Sequence, residues 1–107
     1  MNSSLELSDS HGGVGNFRIT GVMNFDSIQS LNQRACELFP PFNRVNIDLS
    51  GVTYVNSAGL ALLLEWKRKA IAEDRIIELH SVPQKLLNIA RMSELDGILS
   101  LQDTTRD

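Results

Sequence analysis

The clearest candidates for chemistry in this sequence are four consecutive residues, Asn56, Ser57, Ala58 and Gly59. They stand between a strand-like pattern and a helix-like pattern, so Asn56 or Ser57 is placed to cap the helix. Either side chain can accept a hydrogen bond from a backbone N–H group that the first helical turn leaves free. We interpret Ser57 as the cap and as a contact for a partner. Phosphate on Ser57 would lie favourably near the positive end of the helix dipole, although it would require a competent kinase.

The helix after this loop carries a second candidate surface. At about 100° per residue, Leu62, Trp66 and Lys69 share a stripe with Ala58. A different stripe is expected to face the core and contains Leu60, Leu63, Leu64 and Ile71. Trp66 alone could instead complete the core, but for the stripe as a whole we favour an exposed apolar patch, because Trp is enriched in interface hot spots. The predicted partner-binding residues are therefore Asn56, Ser57, Ala58, Gly59, Leu62, Trp66 and Lys69.

Hydrophobic periodicity predicts the strands that position the loop. Apolar Val45, Ile47 and Leu49 alternate with polar residues at the period of a strand, and Gly51 is expected to end it. Three further segments read as strands: 5–7, 17–22 and 75–80. The first two are joined through a glycine-rich turn, which predicts a hairpin.

Three helices are predicted among these strands. Asp26 begins the first, with Gln29 completing a capping box, and the prolines at 40–41 end it. The long second helix runs on from Gly59, where the leucine spacing becomes helical. The third begins near Ser81.

The resulting order, β-β-α-β-α-β-α, predicts an α/β fold. Strand–helix–strand units imply parallel neighbours, and the opening hairpin adds an antiparallel edge. We therefore expect a mixed sheet of four to five strands with an N-terminal hairpin and helices packed on it. One domain should cover residues 1–101, with residues 102–107 as a frayed tail.

Composition argues against several functions. The net charge of −3 offers no support for nucleic-acid binding, and the single Cys36 suits a reducing cytosol. Neither a signal peptide nor a membrane-spanning run is evident, so we expect a cytoplasmic protein without direct membrane insertion, which could reach the inner face of the membrane only through a partner. No His, Cys or carboxylate pair has metal-ligand spacing, no activated nucleophile is recognisable, and no loop cradles phosphate. We expect no metal, no cofactor and no enzymatic activity.

Residues 44–72 resemble the STAS domain, the fold shared by anti-sigma factor antagonists and by the cytoplasmic tails of sulfate transporters. The matching residues are Asp48-Leu49-Ser50, Val55 and Ser57-Ala58-Gly59-Leu60. In the phosphorylation-switched antagonists the loop reads Asp-Ser-Ser-Gly, and the second serine takes the phosphate. Ala58 occupies that acceptor position here, and Asn56 occupies the acidic one. The resemblance therefore implies no stoichiometric phosphorylation of this loop.

A second branch of the family is more similar. In the STAS subunit of the Mla phospholipid-transport ABC complex the loop continues as Gly-Leu-Ala-Leu-Leu-Leu, which residues 59–64 match letter for letter. Ser57 falls on that subunit's threonine, although Asn56 departs from the acid of both branches. The resemblance implies a non-enzymatic accessory subunit that binds the ATPase of a phospholipid-transporting ABC complex. The alternative is an antagonist that binds an anti-sigma factor or kinase.

Overall fold

Residues 3–95, the part of the chain that this computed structural model describes, form four strands and three helices in the order β-β-α-β-α-β-α. The strands are β1 (Ser3–His11), β2 (Val14–Met23), β3 (Arg44–Val55) and β4 (Ile76–His80), and the helices are α1 (Ile28–Leu38), α2 (Ser57–Ala72) and α3 (Gln84–Met92). The sheet order is β1-β2-β3-β4, with β1 antiparallel to β2 and the other pairs parallel. The predicted α/β class, hairpin and mixed sheet are confirmed; the predicted domain end at residue 101 lies outside the described residues.

The helices cover one face of the sheet and leave the other open. Val45, Ile47 and Leu49 are fully buried, whereas Asn46 and Asp48 between them are only partly buried. This alternation arises because successive strand residues point to opposite faces, and only one face of the sheet is packed. α1 packs beside β1 and α2, α2 lies on β3 and β4, and α3 packs beside α2. The core therefore lies between the helical layer and the sheet.

β3 continues through Gly51, so the prediction that this glycine ends the strand is wrong. The glycine instead permits a close approach between neighbouring strands. A Cβ atom at Gly51 would lie 2.7 Å from Cγ2 of Thr20 on β2. The strand continues to Val55 and brings the polar loop to the end of β2, where Val55 pairs with Met23.

α1 begins without the predicted capping box. The Asn24 side-chain oxygen accepts hydrogen bonds from the backbone N–H groups of Asp26 at 3.0 Å and Ser27 at 3.1 Å. Ser27 is the N-cap residue, and its side chain accepts no capping hydrogen bond from the helix. Asn24, rather than Asp26 with Gln29, therefore closes the turn that leads into this helix.

Lys67 covers the outer edge of β4. Its amine donates a hydrogen bond of 2.7 Å to the carbonyl oxygen of Ile77. Burial lowers the pKa of this amine, and the Glu78 carboxylate opposes the shift without cancelling it. Because β4 is the last strand in the sheet order, Lys67 shields a strand edge that would otherwise offer its backbone groups to another chain.

Candidate functional site

The first turn of α2 is capped by Asn56. This residue has extended backbone angles, and its side-chain oxygen accepts a hydrogen bond of 2.9 Å from the Ala58 N–H group. Ser57 is already the first helical residue and is exposed. Of the two predicted caps, Asn56 is therefore the one observed, and the assignment of the cap to Ser57 is wrong. The cap must precede the helix, which leaves the Ser57 hydroxyl free for solvent or a partner.

Ala58 and Gly59 lie on the inner side of the same turn. Ala58 is 3% exposed, and Gly59 is also buried. A Cβ atom at Gly59 would lie 2.7 Å from Cγ2 of Val55 and 3.0 Å from Cβ of Met23. These two small residues let the helix start approach the strand ends closely. They position Ser57 and offer almost no surface of their own to a partner.

Leu62 and Trp66 are buried, so the predicted exposure of their stripe is wrong. Trp66 is 4% exposed and Leu62 is 7% exposed. The Trp66 ring packs edge-to-face against Phe39 of α1, with 5.3 Å between the ring centroids. Its indole N–H donates a hydrogen bond of 2.8 Å to the side-chain oxygen of Asn32, also on α1. Trp66 therefore joins α2 to α1, and only Lys69 of the predicted stripe is exposed.

The error has a geometric cause. The buried face of α2 is centred near Trp66 and Ala70, and it takes in residues of both predicted stripes. Leu60 and Leu62, about 160° apart, lie toward opposite sides of that one face. Ile71, predicted to be in the core, is 77% exposed. Because α1 lies alongside, α2 buries more of its circumference than contact with the sheet alone would require.

Two exposed aromatic residues that the sequence analysis missed lie at the same end of the sheet as Ser57. Phe25 follows the end of β2 and is 73% exposed, and Tyr54 near the end of β3 is 44% exposed. The amine of Lys85, at the start of α3, lies 4.6 Å from the centre of the Tyr54 ring. We call Phe25, Tyr54, Ser57 and Lys85 the carboxyl edge, because they lie where β2, β3 and β4 lead into their helices.

The strand pairing explains why these residues converge. Met23 pairs with Val55, and the Asn56 N–H group donates a hydrogen bond of 3.2 Å to the Met23 carbonyl oxygen. The chain reaches Phe25 two residues after Met23 and Ser57 two residues after Val55. A large apolar residue between a strand end and a helix start was the sequence signal for Phe25, since such connections are usually polar.

The carboxyl edge combines exposed aromatic surface, a hydroxyl group and one cation. Such a surface is suited to contact with another protein, where aromatic residues are enriched. Among residues 3–95, no three His, Cys, Asp or Glu side chains are grouped to hold a metal ion. No helix in that range has both the length and the apolar character needed to cross a bilayer.

Asp48 lies on the open face of the sheet, next to the point where the register between β2 and β3 shifts. Its carboxylate accepts a hydrogen bond of 2.8 Å from the Ser50 N–H group. Burial raises the pKa of this carboxyl, but the hydrogen bonds from Ser50 and the nearby charges of Arg18 and His80 outweigh that effect and lower it. Asp48 and Ser50 are thus joined by a local hydrogen bond within β3, and they lie apart from the carboxyl edge.

The chain matches the family described as "Mlab, STAS domain" over residues 7–102. It belongs to the STAS family. The predicted family resemblance is therefore confirmed, and the fold described above is that of a STAS domain. A search of curated protein sequences finds no match to the chain.

Solved structures share this fold. An anti-sigma factor antagonist from Mycobacterium paratuberculosis is 19% identical, with a TM-score of 0.73, over 99% of this chain and 96% of that chain. The anti-sigma factor antagonist SpoIIAA in its unphosphorylated form is 14% identical, with a TM-score of 0.69, over 88% of this chain and 84% of that chain. The murine anion transporter Solute Carrier 26 family member A9 is 15% identical, with a TM-score of 0.73, over 97% of this chain but 20% of that chain. The chain likewise spans 19% of the structure of Mglu. At these identities the likeness concerns the fold alone.

Proposed function

We propose that this STAS domain is a non-enzymatic, cytoplasmic interaction module that docks on its partner through the carboxyl edge. The partner is the ATPase subunit of a phospholipid-transporting ABC complex of the Mla type. The observation that carries the proposal is the exposure of Phe25 beside the α2 start, since 73% of this aromatic side chain faces solvent in the isolated domain. Exposed aromatic surface next to a polar loop marks a contact site.

Two features support this choice of partner. The matching family is described as "Mlab, STAS domain", and residues 59–64 repeat the leucine run of the Mla subunit. Ser57 occupies the position of that subunit's threonine and projects from the first turn of α2, where it can contact the ATPase. Of the predicted partner-binding residues, we retain Asn56 and Ser57 for the proposed interface, and the buried Ala58 and Gly59 position them. Leu62 and Trp66 are buried, and Trp66 and Lys69 lie toward α1 rather than at the carboxyl edge.

An anti-sigma factor or kinase is the second candidate partner, favoured by the fold shared with the antagonist from Mycobacterium paratuberculosis over nearly the whole chain. The two candidate partners differ in whether phosphorylation of the STAS domain would reverse the binding. The acceptor position of the switched antagonists is here Ala58, which has no hydroxyl group and is buried. Ser57 is the one exposed hydroxyl of residues 56–59, and we expect it to remain unphosphorylated in cells.

Affinity purification from the native host tests the partner. The tagged chain should recover an ABC ATPase as its main stoichiometric companion, identified by mass spectrometry. Phe25→Ala and Ser57→Glu should each reduce that recovery, the second because it adds bulk and an unpaired charge to a contact surface. Ile71→Ala is the matched control, because Ile71 is 77% exposed but belongs to the outer face of α2.

Recovery of an anti-sigma factor or kinase in place of the ATPase would select the alternative. Equal recovery with the wild type, Phe25→Ala and Ser57→Glu would remove the carboxyl edge from the interface. Intact-mass analysis of the same material tests whether the domain is phosphorylated. A substantial species that is heavier by one phosphate group, with the phosphate mapped to Ser57, would contradict the expected absence of phosphorylation.

A further inference from the structure

A groove of about 180 Å³ lies between α1 and α2, away from the carboxyl edge. Its apolar lining comprises Ala35, Phe39, Trp66, Ala70 and Ile77. Two of these, Ala35 on α1 and Ala70 on α2, are small residues where the helices approach, and they leave the space that larger side chains would fill. A cavity of about 150 Å³ accommodates benzene, so this groove is large enough for one aromatic ring or a short alkyl chain.

The mouth of the groove carries an uncompensated cation. Lys69 lines it, and its amine lies 4.0 Å from the sulfur of Cys36. Of its acidic neighbours one turn away on α2, Glu65 pairs with Arg68. Glu73 and Arg75 both line the groove as well, and they pair with each other. Within residues 3–95, no carboxylate forms an ion pair with Lys69.

Asn32 adds a second hydrogen-bond donor at the same mouth. The indole N–H of Trp66 can only donate, so it fixes the Asn32 side chain with its oxygen toward the ring. The amide NH₂ group of Asn32 is consequently turned away from the ring. The apolar floor is thus bordered by the Lys69 ammonium group, the Asn32 amide and the Glu73–Arg75 ion pair. Because Glu73 and Arg75 neutralise each other, Lys69 leaves the border with a net positive charge, which suits a carboxylate.

We propose that the groove between α1 and α2 binds a small carboxylate with an aromatic or short alkyl body. The body lies against Trp66 and Phe39, and the carboxylate accepts hydrogen bonds from Lys69 and Asn32. This site is separate from the docking surface in the proposed function. Two of the predicted partner-binding residues, Trp66 and Lys69, would then serve a small ligand rather than a protein.

The chain offers a specific probe, because Trp66 is its only tryptophan. In a ¹⁵N–¹H correlation spectrum the single indole N–H resonance should shift saturably on addition of phenylacetate, with a Kd of about 1 mM or tighter, within reach of a ligand of about ten non-hydrogen atoms. Phenylacetamide, which keeps the ring and lacks the charge, should bind at least about fivefold more weakly, because charge-assisted hydrogen bonds are the stronger ones.

Lys69→Met retains the side-chain length and removes the charge, and it should weaken phenylacetate binding by about fivefold or more while leaving the weak phenylacetamide binding unchanged. Lys85→Met is the matched control, since Lys85 lies at the carboxyl edge, and it should bind phenylacetate as the wild type does. Absence of a saturable indole shift up to millimolar phenylacetate would overturn the proposal. Equal affinity for acid and amide, or unchanged affinity in Lys69→Met, would overturn it as well.

Discussion

The first turn of α2 and the middle of the same helix use their side chains in opposite ways. At the first turn, Ser57 is exposed and the two residues behind it are buried against the strand ends. Two turns later the large side chain of Trp66 is buried against α1, and the charged Lys69 faces solvent. Small residues at the helix start thus present a polar group, whereas a large aromatic residue in the middle serves packing.

This difference shows that a residue's neighbours decide whether it is a contact or a support. The helix start lies at the end of the sheet, where nothing in residues 3–95 covers Ser57 or Phe25. The middle of α2 lies beside α1, and Asn32, which is 34 positions away in sequence, supplies the hydrogen bond for the indole. Tryptophan as a residue type is enriched in interface hot spots. Trp66 is nevertheless buried, because α1 lies beside it.

The largest expected effect on stability comes from removing the Trp66 ring. Trp66→Ala should lower the free energy of unfolding by about 3–5 kcal/mol, because it removes a buried ring that packs on Phe39 and leaves a cavity. Chemical denaturation measures this directly. Trp66→Phe is the control, since it retains one aromatic ring while losing part of the indole volume and the hydrogen bond to Asn32, and it should cost less than Trp66→Ala. A nearly unchanged unfolding curve for Trp66→Ala would return this residue to the exposed surface.

Gly59→Ala should have the next largest effect and lower the free energy of unfolding by about 1–3 kcal/mol. In an ordinary helix position, alanine is more stabilising than glycine by about 1 kcal/mol. A loss of stability in Gly59→Ala would therefore show that the close approach at this position outweighs helix propensity. The added methyl group would lie 2.7 Å from Val55 and 3.1 Å from the Met23 carbonyl oxygen, so these groups must move. A higher melting temperature in Gly59→Ala would show that the helix start does not need this close approach.

The cap can be assigned by comparing two neighbouring alanine substitutions. Asn56→Ala should lower stability by about 1 kcal/mol, because it leaves the Ala58 N–H group without its acceptor. Ser57→Ala should change stability by less than about 0.5 kcal/mol, since Ser57 is exposed and supplies no cap. Thermal melts of the two variants test this order, and the reverse order would restore the cap to Ser57.

The smallest effect concerns Asp48 on the open face. Its carboxyl pKa is lower in the folded chain than in the unfolded chain, so the unfolded chain takes up the proton first as the pH falls. The contribution of Asp48 to stability is complete above its usual pKa and is lost as the pH falls through the lower folded value. Melting temperatures of wild type and Asp48→Asn should therefore converge in acid, and a constant difference from neutral pH downward would contradict the assignment.

Local patterns in the sequence were sufficient for the elements of the fold. The alternation of Val45, Ile47 and Leu49 predicted β3, and the position of the polar loop predicted where α2 begins to within two residues. These features depend on residues close together in the chain. Local geometry also limited the cap to Asn56 or Ser57, but it did not select Asn56, which is the observed cap.

The site was harder to predict, because it depends on which elements lie side by side. The burial of Trp66 requires α1 beside α2, and a helical wheel drawn for one helix cannot supply that neighbour. The exposure of Phe25 requires that the end of β2 lie beside the start of α2, which follows from the pairing of Met23 with Val55. Both depend on contacts between segments that are distant in sequence.

Partner affinity of Phe25→Ala tests most directly whether the carboxyl edge is the docking surface. In a calorimetric titration with the ABC ATPase subunit that we propose as the partner, Phe25→Ala should raise the Kd by about tenfold or more. It should leave the melting temperature nearly unchanged, since the side chain is 73% exposed. Ile71→Ala, with a similarly exposed apolar side chain on the outer face of α2, should keep the wild-type Kd. Wild-type affinity in Phe25→Ala, or an equal loss in Ile71→Ala, would contradict docking through the carboxyl edge.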